Sequence, residues 1–309
     1  MTIPFTRRDF LKAGGAALAA AALPVSARAD ETRPPAPAPK RALKKGIFWG
    51  CVPGKMSVMD KFKMVRDAGF DGIEIDGSMD RDEVLKARDA TGLLIPTVIC
   101  ANHWLKPLSD PNPAVRQVGF EGLTTALQDG KAYGASSVLL VPARVKKEVP
   151  YDQAYIRSQA EIKKALPMAE ELGVKIGIEN VWNDFLLSPL EAARFIDEFN
   201  SPAIAWHFDV GNIIATGWPE HWIHILGPRI HKLHIKEYSR KKRDEEGLWK
   251  GFEVEYLQGD NDWPTVMNAL DAIGYKGWAT AEPGYRPPGV APAERLKQIS
   301  KILDGIYAL

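Results

Sequence analysis

Four apolar stretches of this chain carry, at or near their ends, a side chain that can bind a metal ion or move a proton. Glu179 ends "VKIGIE", Asp209 ends "AIAWHFD", His234 lies near the end of "RIHKLHI", and Glu282 ends "GWATAE". Each has an ordinary explanation when taken alone: His234 could be a hydrogen-bonded core histidine, Asp209 could cap a turn, and either glutamate could pair with Lys236. Their recurrence at the ends of successive stretches indicates one shared site.

These stretches belong to a regular alternation of short apolar segments and longer amphipathic ones. We predict strands at residues 46–51, 71–75, 93–100, 136–141, 174–179, 203–209, 229–235 and 277–282. Most of the intervening helical segments end in Gly or Asn, as helix C-caps do. Eight such units in roughly 250 residues predict an α/β fold, a (β/α)8 TIM barrel of parallel strands buried on both faces. A doubly wound open sheet is the alternative, but "GCVPGKM" after the first strand is not a glycine-rich phosphate loop.

In a TIM barrel the chemistry lies at the carboxyl ends of the strands. Three carboxylates buried there beside one imidazole would repel one another, and one divalent cation would remove that cost. Mostly oxygen donors without a thiolate suit Mn²⁺, Mg²⁺ or Co²⁺. We expect Mn²⁺ first, with Zn²⁺ as a further alternative. The polar residues predicted at this rim are Glu74, His103, Glu179, Asp209, His234 and Glu282.

The residues around these positions resemble a known family. The stretches "GIENVWNDFLLSP", "HFDVGN", "KLHIKE" and "LQGDNDWPTVMNALDAIGYKGWATAE" are similar to the sugar phosphate isomerase/epimerase family with a xylose isomerase-like TIM barrel. The closest branch contains L-ribulose-5-phosphate 3-epimerases and hexulose-phosphate isomerase-like proteins, and the similarity covers nearly all of residues 46–305. It implies that Glu179, Asp209, His234 and Glu282 hold the metal, and that the two glutamates also act as acid and base. The expected reaction removes a proton next to the carbonyl of a ketose through a metal-stabilised enediolate.

Several other side chains could support the site or touch the sugar. His207 precedes Asp209 by two residues, so we expect it on the same face one layer deeper, hydrogen-bonded to a neighbour. Lys236 should also face inward, where it could polarise a substrate oxygen or neutralise a ligand carboxylate. Arg240 follows His234 by six residues, a spacing similar to that of a substrate-contacting arginine in the tagatose 3-epimerase branch, although the solvated run "RKKR" explains it equally well. The remaining candidates for contact with the sugar are Glu74, His103, Trp49, Trp182 and Trp249.

The first residues predict export. Paired arginines in "TRRDFLK" precede an alanine-rich apolar stretch and a small-residue cleavage site before Asp30, which is typical of a twin-arginine signal at residues 1–29. The apolar stretch is too short to span a bilayer, so we expect the Tat export machinery as a partner, a periplasmic destination and no stable membrane anchor. Residues 30–45 then form a Pro-rich linker, and residues 46–309 the catalytic barrel.

Export narrows the range of expected substrates, because sugar phosphates are cytoplasmic metabolites and an exported enzyme would not meet them. An unphosphorylated ketose, a keto-sugar or a glycoside is therefore expected as the small-molecule substrate. Two alternatives stay open: a lyase or epimerase acting on 3-keto-glycosides, and a non-catalytic sugar-binding barrel. The sequence leaves open whether the protein is a homo-oligomer.

The composition of the chain argues against a nucleic-acid-binding function. A net charge of +1 and only six histidines argue against nucleic-acid binding of the endonuclease IV type, which shares this fold but uses a three-zinc cluster. Asn212 also stands where that branch usually has a histidine.

Cys51 and Cys100 close the first and third predicted strands, roughly 9 to 10 Å apart by sheet geometry, so no disulfide is expected.

Overall fold

The computed structural model describes residues 41–309; the predicted signal and most of the predicted linker lie outside the described residues. Eight parallel strands close into a barrel in chain order, with the last strand paired to the first. This confirms the predicted (β/α)8 fold. The strands are β1 (Lys44–Phe48), β2 (Gly72–Asp76), β3 (Thr97–Ile99), β4 (Ser137–Leu140), β5 (Lys175–Glu179), β6 (Ile204–Asp209), β7 (Ile230–Ile235) and β8 (Trp278–Ala281).

Helices surround this barrel and connect its strands. Most begin at a side-chain N-cap, for example Ser57 and Asp80, which satisfies a free backbone N–H of the first turn. Gly92, Gly134 and Gly173 end their helices with φ between 67° and 77°, a conformation that a residue with a Cβ adopts at a cost. The helices are α1 (Val58–Asp67), α2 (Arg81–Thr91), α3 (Pro113–Tyr133), α4 (Tyr151–Leu172), α5 (Pro189–Asp197), α6 (Gly211–Ile214), α7 (Pro219–Leu226), α8 (Arg240–Glu246), α9 (Trp263–Ala272) and α10 (Pro292–Tyr307).

Two predicted strands differ from the observed ones by more than one residue at an end. The first begins at Lys44 and gives way after Phe48 to a 3₁₀ turn, Trp49–Cys51, so the barrel starts two residues earlier than expected. The third covers only residues 97–99 of the predicted 93–100, because Pro96 has no N–H to donate to a neighbouring strand. The expectation that Cys51 and Cys100 form no disulfide agrees with the structure, in which both are free.

Alternation along the strands separates the apolar core from the site. In β6, Trp206 and Phe208 are fully buried in the core between barrel and helices, whereas His207 and Asp209 point to the opposite side, toward the barrel axis. Pairing of β6 with β7 sets Asp209 beside His234. Among residues 41–309, no helix has the length and apolar character needed to cross a membrane.

Candidate active site

Glu179, Asp209, His234 and Glu282 converge at the carboxyl-terminal mouth of the barrel. Each offers one ligand atom, and the four atoms all lie within 4.8 Å of one another. Glu179 and Asp209 are the last residues of β5 and β6, His234 is the last but one of β7, and Glu282 directly follows β8. The first three are buried and Glu282 is partly buried. The barrel therefore brings together the four side chains that the sequence singled out.

The ring of His234 has one nitrogen directed at this group and one directed away from it. Its Nδ1 lies 3.0 Å from Glu179 Oε1 and 2.9 Å from Glu282 Oε2. Its Nε2 lies 2.8 Å from Glu74 Oε2, a carboxylate that can accept the ring N–H. A metal-binding histidine commonly donates its second ring N–H to a carboxylate, which fixes the ring orientation and leaves the other nitrogen for the ion. Glu74 is placed to do this for His234.

The donor atoms and charges fit a divalent cation. Asp209 Oδ2 and Glu282 Oε2 are buried and accept no hydrogen bond of good geometry from the described residues. Lys236 supplies one positive charge, with Nζ 3.0 Å from both Asp209 Oδ2 and Glu282 Oε1. One ammonium does not balance three clustered carboxylates, and three carboxylates with one imidazole suit a hard or borderline ion. Glu179, Asp209, His234 and Glu282 would hold it.

Burial and neighbouring charge shift these groups in different directions. Burial raises the pKa of Glu179 and raises the pKa of Asp209 to about 7. Burial also disfavours the charged form of Glu282, but Lys236 and His234 outweigh it and lower the pKa of that carboxyl. A bound cation would favour the ionised form of all three carboxyls.

Asn180 fixes the position of Asp209. Its Oδ1 accepts hydrogen bonds from the Asp209 backbone N–H at 3.0 Å and from Trp206 Nε1 at 3.1 Å, and its Nδ2 donates to the Asp209 carbonyl at 2.7 Å. The backbone N–H of Asn212 donates to Asp209 Oδ1 at 2.8 Å. One carboxylate oxygen is thus held in place while Oδ2 faces the site. In the sequence, the only signal for this role is the position of Asn180 directly after Glu179.

A cavity of about 370 Å³ opens onto three of these residues, Glu179, His234 and Glu282. Four other predicted site residues, His103, Trp182, Lys236 and Trp249, also line it. Sequence reasoning missed part of its aromatic wall, since a single aromatic residue in a loop gives no periodic signal. The aromatic residues around this cavity are Phe48, Trp104, Trp182, Trp249 and Phe252.

His103 and Trp182 are fixed by hydrogen bonds to the backbone. His103 Nδ1 accepts from the Val141 N–H at 3.1 Å, and burial lowers the pKa of this imidazole to about 4, which keeps it neutral. Trp182 Nε1 donates to the Asn212 carbonyl at 2.9 Å. The Trp182 ring lies 4.7 Å from the ring of Trp249, between centroids.

The structure places three predicted substrate contacts away from this cavity. Glu74 lies in the middle of β2 rather than after it, and it is fully buried beneath His234. His207 lies one layer below the rim as expected, but neither ring nitrogen has a hydrogen-bond partner among the described residues. Arg240 donates to the carbonyls of Ile214 and Gly217, so its guanidinium is engaged outside the cavity. Their geometry favours supporting roles over direct contact with a sugar.

The segment between β7 and α9 contributes to the mouth of the barrel. It forms α8 and a 3₁₀ segment, Leu248–Phe252. Trp249 and Phe252 reach the cavity from this segment. Trp49, by contrast, is absent from the cavity lining, and the Lys61 ammonium lies 4.4 Å from the centre of its ring.

Residues 62–305 match the family model for the xylose isomerase-like TIM barrel. The chain belongs to this family. Residues 4–24 match the model for the signal sequence of the twin-arginine translocation pathway.

Several proteins that resemble this chain are sugar epimerases. The L-ribulose-5-phosphate 3-epimerase of Salmonella typhi is 23% identical over 255 residues, which cover 77% of this chain and 86% of that protein. The D-allulose 3-epimerase of Methylomonas sp. has a TM-score of 0.71 at 20% identity, covering 87% of this chain and 99% of that one. The 3-keto-D-glucoside 4-epimerase of E. coli has a TM-score of 0.71 at 18% identity, covering 85% of this chain and 99% of that one. At these identities the solved structures establish the shared fold.

Proposed function

We propose that this protein is a divalent-metal-dependent sugar isomerase or epimerase, with Mn²⁺ as the first candidate ion. The observation that carries the proposal is the convergence of four donor atoms from Glu179, Asp209, His234 and Glu282 within 4.8 Å. Mg²⁺, Co²⁺ and Zn²⁺ are further candidates for the same oxygen and nitrogen donors. The epimerase activities of the relatives agree with this assignment.

Two carboxylates are available for proton transfer. Glu179 is the last residue of β5 and Glu282 directly follows β8, so the two carboxylates approach the His234 ring from different strands. One would take the proton from the carbon beside the carbonyl, and the other would return it, which for epimerisation must occur on the opposite face. Lys236, 3.0 Å from Glu282 Oε1, would stabilise the ionised form of that carboxylate. The bound ion would supply neutralisation of the charge that develops on the substrate oxygens.

The cavity favours a sugar without a phosphate group. Lys236 is the one Lys or Arg side chain among its lining residues, and its ammonium is already paired with Asp209 and Glu282. His103 also lines the cavity and is neutral. A phosphate dianion would thus find no uncommitted cationic side chain in that lining, whereas aromatic rings suit the faces of an uncharged sugar. An unphosphorylated ketose and a keto-glycoside both meet this condition, and a keto-glycoside lyase or epimerase is the second candidate function.

The matched twin-arginine signal supports export. We propose that the signal is removed before Asp30, that the Pro-rich linker leads to the barrel, which begins at Lys44, and that the mature protein works in the periplasm. That location agrees with a substrate outside cytoplasmic sugar phosphate metabolism.

The test combines metal analysis of the purified protein with deuterium exchange from solvent into a panel of ketoses and keto-glycosides. We expect about one divalent ion per chain and label beside the carbonyl of at least one sugar. The variant Glu282→Gln should lower exchange by about 100-fold or more, measured with saturating Mn²⁺ and with circular dichroism as the check of folding. The exposed residue Glu171 gives the matched control Glu171→Gln, which should exchange normally.

Two results would contradict the proposal. Metal-loaded wild-type protein that labels no sugar, yet binds one, would indicate the non-catalytic barrel. Unchanged exchange in folded, loaded Glu282→Gln would remove Glu282 from the proton transfer.

A further inference from the structure

A second cavity, of about 330 Å³, adjoins the first at the same mouth of the barrel. The two cavities share four lining residues, Val181, Trp182, Asn212 and Trp249. The paired rings of Trp182 and Trp249 therefore stand between them. Trp249 lies on the segment between β7 and α9 and is 67% exposed.

Ten of the fourteen residues that line the second cavity are apolar, and the four polar ones are Asn180, Asp184, Asn212 and Thr216. Asn180 and Asn212 form part of the lining, but their side chains are already hydrogen-bonded within the protein. Both Oδ1 and Nδ2 of Asn180 are hydrogen-bonded to the backbone of Asp209 in β6. Asn212 Nδ2 donates to the Asn180 carbonyl at 2.9 Å, and Asn212 Oδ1 accepts from Lys236 Nζ at 3.3 Å. These amides have little capacity left for the hydroxyls of a second sugar ring. The main apolar contributors are Phe185, Leu186, Ile213, Ala215, Trp222 and Leu248.

Hydrogen bonds from two arginines hold one wall of this cavity in place. Arg240 donates to the carbonyls of Ile214 at 2.9 Å and Gly217 at 2.8 Å, and Arg243 donates to the carbonyl of Ala215 at 2.7 Å. These charge-assisted hydrogen bonds tie α8 to the loop after α6. Arg240 thus shapes the second cavity instead of contacting the ligand in the first.

We propose that the second cavity binds an apolar substituent of the sugar, so that the substrate is a glycoside with an alkyl or aryl aglycone. This inference rests on the proposed function, because the proton shift requires a ketone in the first cavity. A sugar whose anomeric carbon carries the aglycone can offer a ketone only at another ring carbon. The substrate class is therefore a keto-glycoside, with the keto-sugar ring at the metal site and the aglycone beyond Trp182 and Trp249.

The test compares two probes, methyl and phenyl 3-keto-β-D-glucopyranoside, on the Mn²⁺-loaded protein. Binding is measured by calorimetry, and exchange by deuterium uptake from solvent. Burial of the phenyl ring should make it bind about tenfold tighter than the methyl probe. Thr216 is exposed and lines only the second cavity, so Thr216→Trp should fill the space and reduce this preference to less than about threefold. Thr125, exposed on α3, gives the matched control Thr125→Trp, which should keep the preference.

The outcomes separate this inference from the proposed function. Equal binding of the two probes by wild-type protein, or a full phenyl preference in Thr216→Trp, overturns the aglycone site. Exchange into a free ketose but into neither glycoside also overturns it and leaves the proposed function standing. A phenyl preference without exchange into any sugar supports the aglycone site and refutes the proposed function. Binding of a 3-keto-disaccharide as tight as that of the phenyl probe would replace the apolar aglycone with a second sugar.

Discussion

His103 should make the stability of this protein sensitive to mild acid. Its imidazole is 6% exposed, its Nδ1 accepts a hydrogen bond from the Val141 N–H, and burial lowers its pKa from 6.5 to about 4. The folded state therefore resists a proton that the unfolded chain accepts readily. Because the folded pKa lies below the unfolded one, this stabilisation is complete above pH 6.5 and is lost as the pH falls toward 4.

The size of the effect follows from the shift. A difference of roughly 2.5 pKa units, at about 1.36 kcal/mol per unit, corresponds to about 3 kcal/mol when the loss is complete. At pH 5, about 1.5 units below the unfolded pKa, the loss should be about 2 kcal/mol. A change of this size is a large fraction of the stability of a typical protein.

The variant His103→Asn isolates this contribution. An asparagine oxygen can take the place of Nδ1 as acceptor for the Val141 N–H without titrating. Urea unfolding followed by tryptophan fluorescence, at pH 8 and pH 5 with a chelator present, gives the free energies of unfolding. Any loss of packing shows as a constant offset at both pH values. We expect wild type to lose about 2 kcal/mol more than the variant between pH 8 and pH 5. Parallel pH profiles, or a larger loss in the variant, would refute this account of His103.

Two further substitutions test the groups that support the site. Glu74→Gln should reduce Mn²⁺ affinity by about 10- to 100-fold, because the amide is a weaker acceptor for the His234 ring N–H; calorimetric titration with Mn²⁺ measures this, and wild-type affinity would show that Glu74 does not position the ring. Asn180→Ala removes the acceptor shared by the Asp209 N–H and Trp206 Nε1 and should lower the free energy of unfolding by about 2 to 4 kcal/mol; a loss below about 0.5 kcal/mol in urea unfolding would mean that these buried donors find other partners.

Sequence reasoning was accurate where it depended on periodicity. The alternation of β-branched runs with amphipathic segments gave the closed barrel and most strand positions, because both patterns follow directly from how strands and helices bury one face. It failed at β3, where Pro96 shortens the strand, and it placed Glu74 at a strand end although β2 continues to Asp76. A period of two identifies the face of a strand but not the layer of the barrel that a residue occupies.

The candidate site divides in the same way. Glu179, Asp209, His234 and Glu282 could be chosen from sequence because each lies at or next to a strand end, and parallel strands of a barrel bring those ends to one mouth. The role of Arg240 could not be chosen from sequence. Its spacing from His234 is compatible with a guanidinium that faces the cavity and also with one that is hydrogen-bonded to residues 214–217. Only the packing of α8 against those residues distinguishes the two.

The sequence by itself determined the barrel, its order of strands and the four donor side chains, because these depend on local patterns repeated along the chain. The tertiary structure alone decided which nitrogen of His234 faces the carboxylates, which residues lie beneath the site, and how Trp182 and Trp249 divide the mouth into two cavities. Those features arise from contacts between strands and loops far apart in the chain, and no local pattern encodes the distances at which such segments meet.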